Sequence, residues 1–421
     1  MKPSRRELFL GWSLLVLVSV LYFFANLQKV VVPGSVFNEL QQQFGCAAAG
    51  ITGLGAGFMY AYSFNQLTVG VLADRYGGAR VIAYGGALFC LGSLLSAYTG
   101  SLWVLMFSRI LTGFGASAVY LSMLKLIFRF SPGSFTLVLG IIMLIGYSGS
   151  IVSGAPFVKL SAVFGYTSCM LTIGIVTAIV YLLFVMNTIF LKKPPVDHSV
   201  KLNFSPFKTV LMRRHNLCVY LTTGIAFALF YSMQMTIGKK YMEDFTGMRP
   251  DSAGILMSIA MVISSCNAFI LALLSKLCGN RRRIFIRFCG FGSLTAALML
   301  LCAVLFELRC WQLSAAAWLL MSFAGNTTTI NVALQKETNP DNQVGTALCV
   351  GNFFSYLVIA VIGSFVGWLL ELVPPQQVNG IKLYSADSYL LVFIMMSVLA
   401  LISAVFSLRI VETRGRQMIQ K

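Results

Sequence analysis

What most constrains this chain is a series of apolar runs, each about 20 residues long, recurring from one end to the other. A helix of roughly 20 apolar residues crosses the hydrocarbon core of a bilayer, so every run is long enough to span. Twelve are present, near residues 9–32, 47–71, 81–99, 102–128, 135–159, 167–191, 217–241, 254–275, 285–306, 312–335, 344–371 and 388–409. A chain of 421 residues that is 58% hydrophobic and only 10% charged cannot hide that much apolar surface in a soluble core. The expected fold class is an all-α polytopic membrane protein with twelve transmembrane helices.

The formal net charge of +18 would suggest nucleic acid in a soluble protein, but its placement excludes that partner here. With the N-terminus inside, 23 of the 31 Lys and Arg residues fall on cytoplasmic segments and 6 on outer loops, while Lys29 and Arg109 lie within spans. This is positive-inside asymmetry: it puts both termini in the cytoplasm and makes the lipid bilayer, with its anionic headgroups, the natural partner. Short loops suit a carrier of the bacterial cytoplasmic (inner) membrane. The first run follows Arg5-Arg6 but is too long for a signal peptide and lacks a clear cleavage site, so it is read as retained. The ten cysteines are scattered with no CxxC pair and no metal spacing, and read as small packing residues. Cys46 and Cys310 are not expected to bridge, and no metal or cofactor is expected.

Residues 192–216 form the longest hydrophilic interruption, with Pro194-Pro195, Pro206 and six bases. They divide the chain into an N-terminal six-helix bundle (1–191), a cytoplasmic linker (192–215) and a C-terminal six-helix bundle (216–421). The halves repeat each other, which predicts pseudo-symmetric bundles. Leu274 to Arg282 holds the place in the second half that Leu72 to Arg80 holds in the first, with Lys276 where Asp74 stood. Gly140 and Gly146 begin the fifth run and Gly345 and Gly351 the eleventh, at the same spacing. Runs six, nine and twelve are apolar nearly all round and suit lipid-facing positions. Trp103, Trp311 and Trp368 sit toward outer ends and Trp12 toward the inner, as interfacial anchors do.

The densest charge between two runs is Gly70-Val71-Leu72-Ala73-Asp74-Arg75-Tyr76-Gly77-Gly78-Ala79-Arg80. So short a connection joins antiparallel neighbours, and its acid and bases must sit at a membrane surface. The pattern G-x-L-A-D-R-x-G-x-x-R resembles the signature loop between helices 2 and 3 of the major facilitator superfamily of transporters. Arg109-Ile110-Leu111-Thr112-Gly113-Phe114-Gly115-Ala116 resembles the R-x-x-x-G-x-G-a motif of that superfamily's fourth helix. The resemblance implies two bundles rocking around a central site, with helices 1, 4, 7 and 10 lining the cavity. It makes Gly70, Asp74, Arg75, Gly77 and Arg80 a cytoplasmic latch, and Lys276 makes that latch asymmetric. The stretch from Gln234 to Tyr241 is similar to a helix 7 pattern of organic-anion and sugar-phosphate porters. Where such porters carry a cation on helix 1, this chain has Ala25, with Lys29 one turn along the same face.

No acid lies deep in any run: all thirteen, Glu243 and Asp244 among them, fall in loops or at helix ends. Proton-coupled carriers and carriers of organic cations usually embed a carboxylate, so the embedded Lys29 and Arg109 point instead to an anion. Ser19, Tyr22, Asn26 and Lys29 share one helical face and would form a polar wall ending in a cation. The competing reading has Lys29 snorkel to outer headgroups, and Arg109 is equally open to a structural or gating role. Tyr231 and Gln234 share a face of the seventh helix, and Asn352 and Tyr356 on the eleventh are further candidates. Asn326 and Asn331 could touch cargo or tie helices together, and Lys125 reads mainly as interfacial. Nothing resembles a nucleotide loop, a nucleophile with its base or a metal cluster, so no enzyme is expected. The expected function is secondary transport of a small organic anion by a monomer. The alternatives are a carrier of amino acids or neutral solutes, a multidrug exporter, and a non-transporting receptor or scaffold.

Overall fold

A computed structural model describes residues 5–97, 100–191, 205–340, 343–378 and 381–418. Most of the expected linker (192–204, with His198 and Pro194-Pro195) lies outside them, as does Asp341. The spanning helices are α1 (Arg5–Val30), α2 (Ala48–Tyr76), α3 (Gly78–Leu95), α4 (Leu102–Phe130), α5 (Phe135–Val152, then Ala155–Phe164) and α6 (Tyr166–Ile189). In the second half they are α7 (Arg214–Thr246), α8 (Pro250–Leu277), α9 (Arg283–Leu305), α10 (Trp311–Gly325, then Thr328–Thr338), α11 (Val344–Glu371) and α12 (Ala386–Ser407). Each sits on one of the twelve apolar runs. Among the described residues nine are long and apolar enough to cross a membrane unaided, and the two parts of α5 make a tenth, bent by 47°. The bend falls at Gly154 and Pro156, where proline cannot donate to the preceding turn. A small antiparallel hairpin, β1 (Gln376–Val378) with β2 (Ile381–Leu383), lies between α11 and α12. Period-2 patterning over three residues is too short to read in advance.

The chain divides into two compact units, Met1–Val31 with Gly57–Leu202, and Val32–Ala56 with Asn203–Lys421. In the first, α1 packs on α5 and α3 on α4 through small residues, as helices in lipid must when burial alone does not drive them together. At Gly115 a Cβ would lie 2.3 Å from Phe89 N, and at Gly113 one would lie 2.3 Å from Phe58 O. The glycines of the helix 4 motif are therefore the price of close backbone contact with α3 and α2. Leu14, Val18 and Leu21 of α1 close an apolar core with Ile127, Ile142 and Phe184.

In the second unit α9 packs on α12, and α7 on α11. α7 contains two wider π-type turns, Tyr220–Gly224 and Met233–Ile237. The internal repeat has a packing meaning here. Gly140 and Gly345 face open space, whereas Gly146 lies against the ring of Tyr22 and Gly351 against the ring of Tyr220. In each unit the later glycine seats a tyrosine from that unit's first spanning helix.

Candidate functional site

In the first unit α1 carries a continuous polar ladder. Lys29 is 5% exposed and its Nζ donates to Asn26 Oδ1 at 2.9 Å. Asn26 Nδ2 donates to the Tyr22 carbonyl at 2.9 Å, and Tyr22 stacks on Tyr120 of α4 with centroids 5.8 Å apart. Ser150 of α5 donates to the Asn26 carbonyl at 3.2 Å, which fixes the ladder against α5. Arg109 is fully buried, donates to the Gln28 carbonyl at 3.0 Å and lies over the Phe58 ring at 4.6 Å. The Gln28 side chain donates in turn to Ser93 Oγ at 2.8 Å. Two cations are thus buried around the same turn of α1, one on its own helix and one reaching its backbone from α4.

In the second unit Gln234 is fully buried and donates to the Met257 carbonyl of α8 at 3.1 Å. Tyr231 packs on Phe227 at 4.5 Å, and Phe227 meets Tyr356 edge-on at 5.9 Å. Asn352 is half-buried one turn before Tyr356 on α11. Asn326 ties helices together: its amide donates to Ser264 O at 2.9 Å across to α8, while its oxygen accepts from Thr328 where α10 breaks.

The charged loop of the first unit is a tight turn. α2 ends at Tyr76, Gly77 takes φ 84° and α3 starts at Gly78. Only a residue without a Cβ adopts that turn readily. Gly70 is half-buried on α2, Arg75 lies over the Tyr76 ring at 5.3 Å and Arg80 donates to the Tyr76 carbonyl at 3.1 Å. Asp74 forms an ion pair with Lys125 of α4, both about half exposed. Sequence reasoning placed Lys125 at the interface; the structure makes it the partner of Asp74.

The second unit reverses these signs. Arg282 on the loop meets Glu337 on α10 at 2.9 Å, and its Nη1 donates to Ser275 Oγ at 2.8 Å. The chain after α12 folds back over this corner. Ile410 is 2% exposed, Thr413 donates to Glu337, and Glu412 accepts from the backbone N–H groups of Arg282 and Arg283 at 2.8 and 3.2 Å. Acid is therefore supplied to this loop by α10 and the tail although Lys276 replaces Asp74.

One group was misplaced from sequence. Lys239 and Lys240 read as outer-loop charges and Glu243 and Asp244 as loop or helix-end acids, but α7 runs on to Thr246 and buries all four pairing groups. Lys239 pairs with Glu243 and Lys240 with Asp244, each at 2.9 Å and one turn apart. Asp244 also accepts from Tyr384 N at 3.1 Å and Tyr389 Oη at 3.0 Å. The connection between α1 and α2 docks here: Asn38 donates to Glu243 at 2.6 Å and Gln41 to Tyr384 Oη at 2.8 Å. Tyr384 lies beyond the spans, and burial pushes its phenol pKa up. Average hydropathy cannot see that i,i+4 pairing neutralises these charges; the spacing of two bases and two acids at four residues was the available signal.

The statistical model of the Major Facilitator Superfamily matches residues 14–364. The chain belongs to the Major Facilitator Superfamily. It is therefore a multi-pass membrane protein of a transporter superfamily. A 4-hydroxybenzoate transporter, PcaK, of Pseudomonas aeruginosa is 30% identical over 165 residues, 39% of this chain and 37% of that one. A probable chloroplastic anion transporter 3 of Oryza sativa subsp. japonica is 31% identical over 109 residues, 25% of this chain and 21% of that one. The chain thus matches only about a fifth to two fifths of the length of these relatives. The crystal structure of a mutant of the nucleoside transporter NupG superposes with a TM-score of 0.73 at 14% identity, covering 95% of this chain and 99% of that one. That likeness carries the fold: twelve helices in two six-helix bundles.

Proposed function

We propose that this superfamily member moves a small organic anion, a carboxylate or related metabolite, by rocker-switch alternating access. The observation that carries the reading is Lys29, buried in α1 at the end of the Tyr22–Asn26 ladder. An ionisable group held inside a spanning helix is costly and marks a cargo or ion path by default, and the sign of a buried lysine is complementary to an anionic cargo. Arg109 adds a second buried cation close to the same turn. Tyr22, Asn26 and Lys29 would form the first unit's share of the site, and Tyr231, Gln234, Asn352 and Tyr356 the second's. The names of the two partial relatives, an anion transporter and a 4-hydroxybenzoate transporter, support an anion. In this reading the protein works as a monomer in a bacterial inner membrane with both termini cytoplasmic. Asp74 with Lys125 and Arg282 with Glu337 are its latches on that side.

The test is a thermal-shift series on the purified protein with aromatic and aliphatic carboxylates, phosphate esters, amino acids, nucleosides and lipophilic cations, followed by flux into proteoliposomes. A ligand at 100 times its Kd stabilises by about 2.7 kcal/mol. Stabilisation by a carboxylate that vanishes in Lys29→Ala is the expected result. Stabilisation by nucleosides or cations, unchanged in Lys29→Ala, would overturn the anion reading.

A further inference from the structure

In the second unit α7 and α10 meet along one face. Phe230, Gln234, Gly238 and Tyr241 recur on α7 at spacings of four, four and three, which sets them on one side of the helix. Three of them touch α10. A Cβ at Gly325 would lie 2.7 Å from the Phe230 Cβ, and one at Gly238 would lie 2.6 Å from the Trp318 ring. Tyr241 Oη and Ser314 Oγ share a hydrogen bond at 2.9 Å. Gln234 falls between the first two of these contacts.

This face holds a donor and an acceptor with nothing to bond. Trp318 and Gln234 are each 0% exposed. Gln234 Nε2 donates to the Met257 carbonyl, which fixes the amide and leaves its oxygen as an acceptor. That oxygen and Trp318 Nε1 have no hydrogen-bond partner among the described residues. The Trp318 atoms against Gly238 are Cζ2 and Cη2, and a single ring carbon separates Cζ2 from the indole nitrogen. The donor therefore stands about one helical turn along α7 from Gln234. Neighbouring hydroxyls are spent elsewhere: Ser322 donates to the Trp318 carbonyl, and Ser314 pairs with Tyr241. Burying an N–H or a C=O unpaired costs free energy, so each such atom calls for a reason.

We propose that Trp318 and Gln234 take one hydroxyl group of the cargo, its oxygen accepting from the indole N–H and its hydrogen donated to the amide oxygen. The two protein atoms select that group. A hydroxyl donates and accepts at one atom, whereas a carboxylate oxygen only accepts and an ammonium only donates. Both charged groups would leave one of the two protein atoms unpaired. Resting on Gln234's place in the cargo site, this narrows the organic anion to a hydroxy acid. Trp318, which no motif singled out, becomes a specificity-determining residue.

The experiment reads apparent affinity by thermal shift on the purified protein with matched pairs. They are hydroxybenzoate against benzoate, lactate against propionate and, without charge, uridine against deoxyuridine. Expected is a preference of at least about tenfold for the hydroxylated member of a pair. Trp318→Phe keeps a ring and loses the N–H, and should cut that preference below about threefold by weakening the hydroxylated member alone. Trp311→Phe, at an exposed tryptophan of the same helix, should retain it. A wild type that binds both members of every pair equally, or binds none of these compounds, overturns the proposal whether or not the variants fold. So does a preference that survives in Trp318→Phe. A preference seen only with the uncharged pair and lost in Trp318→Phe keeps the hydroxyl site and sinks the anion reading. A carboxylate response that needs Lys29 but ignores the hydroxyl does the reverse.

Discussion

Replacing Lys240 by methionine tests whether the buried charges of α7 are held as described. The Lys240 ammonium lies 2.9 Å from Asp244, and both side chains are 0% exposed. Removing the lysine leaves a buried carboxylate without its counter-charge, and breaking such a pair from one side costs about 3–5 kcal/mol. Asp244 keeps its bonds from Tyr384 N and Tyr389 Oη, so the lower end, about 3 kcal/mol, is expected. At roughly 2–4 °C per kcal/mol for a unit of this size, Lys240→Met should lower the melting temperature by about 6–12 °C. Membrane proteins seldom unfold reversibly, so the assay is fluorescence-detected melting at one fixed scan rate. Lys336→Met, an exposed lysine of the same unit, is the control and should cost less than about 1 kcal/mol. Lys240→Met with Asp244→Asn removes both charges while leaving an amide oxygen to accept from Tyr384 N and Tyr389 Oη, and should recover most of the loss because no uncompensated buried charge remains. A single variant no worse than the control, or a double variant whose loss is the sum of its parts, would refute the reasoning.

Asp74→Asn breaks a half-exposed pair with Lys125, worth at most about 1 kcal/mol. It should leave the melting temperature within about 4 °C while slowing or unbalancing flux in proteoliposomes. Gly146→Leu should abolish well-folded expression, since even a Cβ there would lie 2.1 Å from the Tyr22 ring; Gly140→Leu, facing open space, should express normally by size-exclusion chromatography. Ending the chain after Leu408 removes the buried Ile410 and the Glu412 cap of α9. Those losses sum to about 3 kcal/mol, read as a drop in melting temperature that Glu412→Ala alone reproduces only in part. Burial raises the Cys46 thiol pKa. With the other cysteines replaced, its alkylation should reach half-maximal rate above the ordinary midpoint near pH 8.5, and a midpoint at or below that value would count against the burial.

The spans were legible because hydropathy over about 20 residues reports directly on what lipid accepts. The helix 2–3 loop was legible because its turn needs Gly77 and its surface position concentrates charge. Lys125 was not, because nothing in its own neighbourhood names Asp74, 51 positions earlier, as its partner. Lys239 to Asp244 failed for a different reason: a window that averages hydropathy counts four charges where the helix contains two neutral pairs. The sign reversal at the second-half loop was half legible. Lys276 announced that the acid was missing, but its replacements come from α10 and from a tail that only tertiary folding returns to the loop.

The docking of the α1–α2 connection on α7 sets a timetable for synthesis. Asn38 and Glu243 are separated by 205 positions, and Gln41 and Tyr384 by 343. A ribosome adding about 5–20 residues per second makes the early partner of each pair roughly 10–70 s before the late one. For that interval Asn38 and Gln41 must find water, headgroups or an insertase to satisfy them, because the surface that will hold them has not yet been translated. The second unit cannot be finished when its own first helix emerges. Part of it has by then already been waiting at the membrane, made with the first half and held for the last.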